Sequence, residues 1–91
     1  MGLYRFNKEI TITSEEELQK TFSDNELKLI GEDSAISFSG SIMLKGRIIF
    51  EGKNKIEDGV YIDEGCIISN IELGRRSRVR PYSLVYKSIF G

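Results

Sequence analysis

The chain has 91 residues, enough for one domain with a modest core, and its net charge of −1 argues against a strongly basic nucleic-acid binder. A single cysteine excludes an internal disulfide, and without histidine no four-ligand zinc set is available, so we expect neither a metal nor a cofactor. The first residues show no signal-peptide pattern, and no run approaches the roughly 18 apolar residues that span a membrane. We expect a soluble, cytoplasmic protein with no membrane partner.

Residues 1–35 contain no repeat and predict a small α/β cap made of a strand, a short helix and a second strand. Ser14 and Glu17 form a capping box, which predicts a helix over residues 14–22. Such a cap covers the unpaired backbone at one end of a repetitive β structure.

From residue 36 onward, apolar residues recur at six-residue steps, with one five-residue step at Ser69-Asn70. A helix period of 3.6 does not generate this spacing, whereas short strands joined by sharp glycine corners do. The pattern predicts a mainly β fold, a parallel β-helix of about three coils over residues 36–91. The repeated inward residues are Phe38, Leu44, Phe50, Ile56, Ile62, Ile68, Leu73, Val79 and Val85.

Coils of about eighteen residues predict that these residues stack in three interior columns. Asn54 is polar at an inward position, so it must bond to corner backbone or point outward. The columns are Phe38 over Ile56 and Leu73, Leu44 over Ile62 and Val79, and Phe50 over Ile68 and Val85.

Residues 48–91 carry motifs of a known domain: Phe50-Glu-Gly52, Ile62-Asp-Glu-Gly65-Cys66-Ile67-Ile68 and Leu73-Gly74-x-x-Ser77-x-Val79-x-Pro81-Tyr82-Ser83. This half of the chain resembles the first coils of the left-handed β-helix domain in the bifunctional glucosamine-1-phosphate acetyltransferase/N-acetylglucosamine-1-phosphate uridyltransferase family. The resemblance implies left-handed coils and a tendency to form trimers. The nucleotide-binding domain, the later coils and the catalytic histidine of that family have no counterpart here. No catalytic residue therefore carries over, and we lean toward a protein that is not an enzyme.

From Leu73 onward the chain has five basic and no acidic side chains. Three of its arginines alternate with inward residues, so we expect them along one outer face. Arginine pairs with carboxylate or phosphate, and a nearby tyrosine can stack on a base or sugar. A solvated face, or pairing with acids of a neighbouring subunit, is the commoner outcome for such charges. The predicted binding residues are Arg75, Arg76, Arg78, Arg80 and Tyr82.

The last coil also predicts an interface, because an uncovered coil edge is a template for pairing with another chain. Its predicted residues are Val85, Tyr86, Ile89 and Phe90. Cys66 is a weaker candidate, since it lies inward with no histidine to activate it, and an inert core residue fits better. The acid pairs Glu57-Asp58 and Asp63-Glu64 fit ordinary turn chemistry better than catalysis.

The leading hypothesis is a non-catalytic assembly and binding protein with a structural, regulatory or inhibitory role, acting through protein–protein contact. We expect a homo-oligomer, either the trimer that the resemblance implies or an end-to-end dimer through the last coil; a larger protein partner also stays open. One alternative is a component of a sugar-nucleotide or acyl-CoA-dependent acetyltransferase or nucleotidyltransferase. A second is an anion or nucleic-acid binder using the C-terminal arginines, with nucleic acid the less favoured ligand.

Overall fold

The computed structural model describes residues 3–7, 9–23, 26–86 and 89–90, and most of them lie in short strands. No helix within these ranges is long and apolar enough to cross a membrane. The elements are β1 (Leu3–Asn7), β2 (Ile10–Ile12), α1 (Glu15–Phe22), β3 (Leu27–Phe38), β4 (Ser41–Lys45), β5 (Ile48–Ile56), β6 (Tyr61–Ile62), β7 (Cys66–Ser69), β8 (Glu72–Leu73), β9 (Arg78–Val79), β10 (Leu84–Tyr86) and β11 (Ile89–Phe90).

The strands from β3 onward wind into a parallel β-solenoid of about three turns, which confirms the predicted fold class. Each turn has three sides. Side 1 stacks residues 27–30 of β3, residues 48–51 of β5, β7 and β10. Side 2 stacks residues 35–38 of β3, residues 53–56 of β5, β8 and β11. Side 3 stacks β4, β6 and β9.

The core consists of the three columns that the six-residue spacing predicts. On successive turns Phe38 is followed by Ile56 and Leu73, Leu44 by Ile62 and Val79, and Phe50 by Ile68 and Val85, and each residue pairs with the next in its column; all are buried. Three phenyl rings meet near the start of the solenoid. The ring of Phe38 lies 5.6 Å from that of Phe22 and 6.3 Å from that of Phe50, both edge to face. This favourable aromatic geometry joins α1 to the core.

The register between turns changes at the predicted tight corner. Glu51 pairs with Ser69, eighteen residues later, but from Lys55 onward the partner is only seventeen residues later. Asn54 lies buried at this change. Its Nδ2 donates to the Glu51 carbonyl at 3.0 Å, and its Oδ1 accepts the Ile71 N–H at 3.0 Å. Asn54 therefore bonds to corner backbone, one of the two outcomes predicted for it.

The corner between sides 1 and 2 stacks Ser34, Gly52 and Asn70. Gly52 has a φ of 74°, and a Cβ there would overlap the Asn70 amide. The Gly52 N–H donates to Ser34 Oγ at 3.0 Å, and Asn70 Oδ1 accepts the Lys53 N–H at 3.1 Å. Glycine is required here both by its backbone conformation and by the close approach of the next turn.

The N-terminal elements cover the start of the solenoid. β1 pairs antiparallel with β4, and β2 pairs antiparallel with β3, so sides 3 and 2 each receive a covering strand. Ser14 is the N-cap of α1, and its Oγ accepts the Glu17 N–H at 3.1 Å. The helix predicted over residues 14–22 is therefore present, and it buries Leu18 and Phe22.

The predicted boundary between a cap of residues 1–35 and a solenoid of residues 36–91 falls inside β3. This strand pairs in parallel with β5 from Leu27 to Phe38, on both sides of that boundary. The backbone pairing is therefore continuous there, and the division into two regions stays a prediction.

Candidate interaction surfaces

The predicted binding residues lie around β9, on the last full turn. Arg75 and Arg76 form the corner before β9, where Arg76 has a φ of 63°. Arg75 Nη2 is 3.9 Å from Asp58 Oδ2, and the other oxygen of Asp58 accepts the Ser41 N–H at 2.6 Å. The ion pair is well exposed, so solvent screening leaves it worth at most about 1 kcal/mol.

Arg78 lies within β9 and extends over an aromatic ring. Its guanidinium carbon is 4.9 Å from the ring centroid of Tyr61 in β6, which is cation–π geometry. Ser77 and Val79 are buried, whereas Arg78 and the arginines two residues away on each side are exposed. Burial along this segment therefore follows the alternation expected from the sequence.

Tyr82 lies at the corner after β9, on the opposite end of this strand from Arg76. It is 73% exposed and has a φ of 59°. A Cβ on Gly65 would overlap the Tyr82 ring, so the ring lies against the backbone of that glycine. The five predicted residues thus extend along β9 and into both of its corners, and their role in binding stays a prediction.

The predicted interface residues differ in burial. Val85 is the last member of a core column and is only 8% exposed, whereas Tyr86 is 58% exposed. The backbone of β11 pairs with β8, but the side chains of Ile89 and Phe90 lie outside the described residues. Val85 therefore serves the core, and an interface role for these four residues stays a prediction.

Sequence reasoning singled out only Tyr86 from an apolar surface on the outside of side 1 and missed its other members. One of its columns aligns Ile49, Ile67 and Leu84, and the latter two are 38% and 61% exposed. The neighbouring column has Ile30 and Tyr86 at its two ends, 45% and 58% exposed. We call these five residues the apolar face. The sequence does contain a signal for this surface. Ile49, Ile67 and Leu84 each lie between the two inward residues of a side-1 strand, so each points outward although it is apolar.

The outsides of the other two sides are more polar. On side 2, Ser37, Lys55 and Glu72 align, and Lys55 Nζ is 3.9 Å from Glu72 Oε2. On side 3, Tyr61 aligns with Arg78. Among the described residues, the largest exposed aliphatic side chains therefore gather on side 1.

Comparison with known proteins finds no matching family model and no matching solved structure. The chain is 46% identical over 43 residues to the bifunctional protein GlmU of Janthinobacterium sp. (strain Marseille), covering 47% of this chain and 10% of that protein. It is 46% identical over 35 residues to GlmU of Herminiimonas arsenicoxydans, covering 38% of this chain and 8% of that protein. The chain is partly similar to GlmU, a hexapeptide-repeat acetyltransferase.

The matched segments span a tenth or less of each GlmU protein, so the similarity concerns a short segment and not a whole enzyme. A solenoid of about three turns agrees with the hexapeptide-repeat β-helix that the resemblance implied.

Cys66 has the surroundings of a core residue. It is 1% exposed, and its Sγ lies 3.1 Å from the Arg80 carbonyl, to which the thiol donates. Burial raises the pKa of the Cys66 thiol. A backbone hydrogen bond with Ser83 offsets part of this rise, and the charge of Asp63 adds a smaller rise of its own. The neutral thiol is therefore favoured, which is unfavourable for a nucleophile.

The corner acids bond to backbone. Asp63 Oδ1 accepts the Glu64 N–H at 2.8 Å, just as Asp58 accepts the Ser41 N–H. Within the ranges that the structure describes, no three Cys, Asp or Glu side chains gather where they could hold a metal ion. These contacts are ordinary turn chemistry, as the sequence suggested.

A cleft of about 550 Å³ opens beside β2, at the start of the solenoid. Polar residues that include Glu9, Thr11, Ser39 and Glu57 line it, together with the core residue Phe38. None of the predicted binding residues lies in this cleft, so it is separate from both the arginine region and the apolar face.

Proposed function

We propose that this chain is a non-catalytic hexapeptide-repeat module that assembles with copies of itself and binds protein partners. The observation that supports this proposal is the apolar face on the outside of side 1. Leu84 and Tyr86 are more than half exposed there, at 61% and 58%, next to Ile67. A cluster of exposed apolar side chains of this kind is typical of an interaction site.

The charged groups near the apolar face support a second copy as its partner. Lys28 Nζ lies 3.5 Å from Glu15 Oε1, and Ser69 Oγ donates to Glu51 Oε1 at 3.0 Å. Lys28 is thus paired within its own chain, whereas Glu51 is hydrogen-bonded but keeps its negative charge, so two copies can meet with Glu51 at the solvated rim of the contact. The trimer implied by the resemblance and an end-to-end dimer remain the two proposed forms of assembly.

Sedimentation equilibrium tests the role of the apolar face. We expect the wild-type protein to have a mass well above the 10.4 kDa of one chain. Leu84→Glu should shift it toward the monomer, because loss of a buried leucine contact removes about 1.5–3 kcal/mol, tenfold or more in the dissociation constant. Thr11→Glu, which adds the same charge at an exposed position on side 2, should leave the mass unchanged. A monomeric wild-type protein would contradict self-assembly.

A second variant separates the two forms of assembly. Replacing Ile89 and Phe90 together by glutamate changes the last coil and leaves the apolar face intact. If this double variant becomes monomeric while Leu84→Glu keeps the wild-type mass, the copies meet end to end. The opposite result assigns the contact to the outside of side 1.

The similarity to GlmU favours a second candidate function, a component of an acyl-CoA or sugar-nucleotide enzyme. Isothermal titration calorimetry with acetyl-CoA, UDP-N-acetylglucosamine and glucosamine-1-phosphate distinguishes it from the first. Saturable binding of any of the three would support this second candidate. Folded protein that binds none of them would support the assembly function.

A further inference from the structure

The arginines around β9 form a second surface, separate from the apolar face. We call Arg76, Arg78 and Arg80 the arginine ladder. The residues between them, Ser77 and Val79, are only 6% and 1% exposed, so the backbone that carries the ladder is anchored in the core. Alternate residues of an extended chain lie about 6.5 Å apart, the spacing expected between Arg78 in β9 and Arg80 just after it. Arg76 lies at the corner before β9, with a φ of 63°, and adds its charge at one end of this pair.

The ladder carries positive charge that its surroundings do not neutralise. Among the described residues, no carboxylate lies within 4.0 Å of the three guanidinium groups. The nearby acid Asp58 already meets the Ser41 N–H and Arg75. Tyr61 lies 4.9 Å from the Arg78 guanidinium, a contact that holds this group while leaving N–H donors for an acceptor.

We propose that the arginine ladder binds an extended acidic segment of a partner protein, with carboxylates at alternate positions. In an extended segment, residues two apart share one face and the same spacing of about 6.5 Å. Two such carboxylates can then meet Arg78 and Arg80, and each planar guanidinium pairs with its carboxylate bidentately, while Arg76 at the corner attracts a further acid. The segment lies along the outside of β9 and contacts its side chains. This docking does not depend on self-assembly through the apolar face.

The partner is a different protein from this chain. The acids in the described strands are Glu32 and Asp33, which are adjacent in β3, Glu51 in β5 and Glu72 in β8. None of these strands has acids at alternate positions, so a second copy does not offer a strand of the required pattern.

The neighbouring aromatic residues favour a protein over a nucleic acid. Stacking of a base needs an accessible ring face. Arg78 lies over the Tyr61 ring, and the Tyr82 ring packs on Gly65 with its outer face exposed, so only Tyr82 keeps an open ring, whereas a nucleic acid is held by stacking of successive bases. The chain as a whole also has a net charge of −1 and lacks the overall positive charge that supports binding to a phosphate backbone.

Fluorescence anisotropy with two labelled peptides tests the required spacing. One probe repeats Glu-Thr, and the other has the same composition with its glutamates in adjacent pairs. We expect the alternating peptide to bind several-fold more tightly to the full chain, at low and at physiological salt. Equal affinity for the two peptides would overturn the proposal, because it would indicate non-specific charge attraction. Tighter binding of oligothymidylate than of the alternating peptide would also overturn it.

Two sets of substitutions test the residues. Changing all three ladder arginines to glutamine should weaken binding of the alternating peptide about tenfold, since each exposed pair contributes little alone. Changing Lys45, Lys53 and Lys55 to glutamine removes the same charge elsewhere and should leave the affinity within experimental error. Equal losses in the two variants would overturn the assignment to the ladder.

A charge-preserving variant keeps the test valid if the glutamine variant fails to fold. Replacing the three ladder arginines by lysine retains the charge but removes bidentate pairing. We expect several-fold weaker binding with an unchanged circular dichroism spectrum. Wild-type affinity in this variant would contradict the proposed pairing.

Discussion

Asn54 Oδ1 accepts the Ile71 backbone N–H at 3.0 Å, at the point where the offset between turns falls from eighteen residues to seventeen. The Nδ2 of the same side chain donates to the Glu51 carbonyl at 3.0 Å. One buried amide thus satisfies backbone groups on two successive turns at the corner that is one residue shorter. Asn54 interrupts the apolar series, and its two hydrogen bonds stabilise the shortened corner.

Replacing Asn54 by leucine should destabilise the protein strongly. The substitution leaves the Ile71 N–H without its acceptor, whereas the Glu51 carbonyl keeps the Asn70 N–H at 3.1 Å, and one buried unsatisfied group costs about 1–3 kcal/mol. We expect the free energy of unfolding to fall by about 1–3 kcal/mol, measured by urea denaturation followed by circular dichroism. Asn54→Asp keeps the acceptor for the Ile71 N–H but buries a carboxylate whose second oxygen faces the Glu51 carbonyl, so it should lose at least as much. A leucine variant as stable as the wild type would refute this role.

Two matched isoleucine substitutions should have opposite effects on the fold. Ile62 is 0% exposed in the middle of a core column, whereas Ile67 is 38% exposed on the outside of side 1. Ile62→Asp places an unpaired charge in the core and should unfold the domain, while Ile67→Asp should leave it folded. The dispersion of amide signals in a two-dimensional NMR spectrum distinguishes the two. A well-dispersed spectrum for Ile62→Asp would be incompatible with the assigned column.

The stability of the wild-type protein should fall at alkaline pH because of Cys66. Burial raises the pKa of the folded thiol above its ordinary value near 9.0, so the folded state holds its proton more tightly than the unfolded chain. This contribution is fully present below pH 9.0 and is lost as the pH rises through the raised pKa of the folded state. Other groups titrate in the same range, so the comparison is with Cys66→Ser.

Thermal unfolding across this alkaline range should show a steeper loss of Tm for the wild type than for Cys66→Ser, which has no thiol. Parallel curves for the two proteins would show that burial does not perturb this thiol. The same burial should make Cys66 react slowly with a disulfide reagent in native protein and rapidly in urea.

The purified protein should catalyse neither acetyl transfer nor uridylyl transfer by itself. The chain has no histidine, the commonest general base near neutral pH, and its match to GlmU covers 10% of that protein or less. A coupled assay with acetyl-CoA, UTP and the corresponding sugar phosphates checks this expectation. Turnover that co-purifies with the protein and disappears in a folded variant of this chain would reverse it.

The amino-acid sequence by itself determined the interior of the solenoid. Phe38, Leu44 and Phe50 begin columns that the six-residue spacing predicts and that the structure confirms. This was possible because each hexad forms one side and one corner, so the rule is local and repeats along the chain. The capping box at Ser14 is local in the same sense, and it correctly predicted the start of α1.

The tertiary structure alone decided how the first turn is made and which outer residues stay exposed. Leu27 pairs with Ile48, 21 residues later, whereas Ala35 pairs with Lys53, 18 residues later, so β3 absorbs three extra residues between these points. No periodic pattern predicts that shift, because it depends on which backbone edge of β5 is available to the incoming strand. The exposure of Leu84 likewise depends on what covers the outside of side 1 and not on its spacing. The register shift in β3 and the exposure of Leu84 both depend on contacts between distant segments of the chain. The six-residue repeat specifies which residues face the inside of each turn, and it does not determine those contacts.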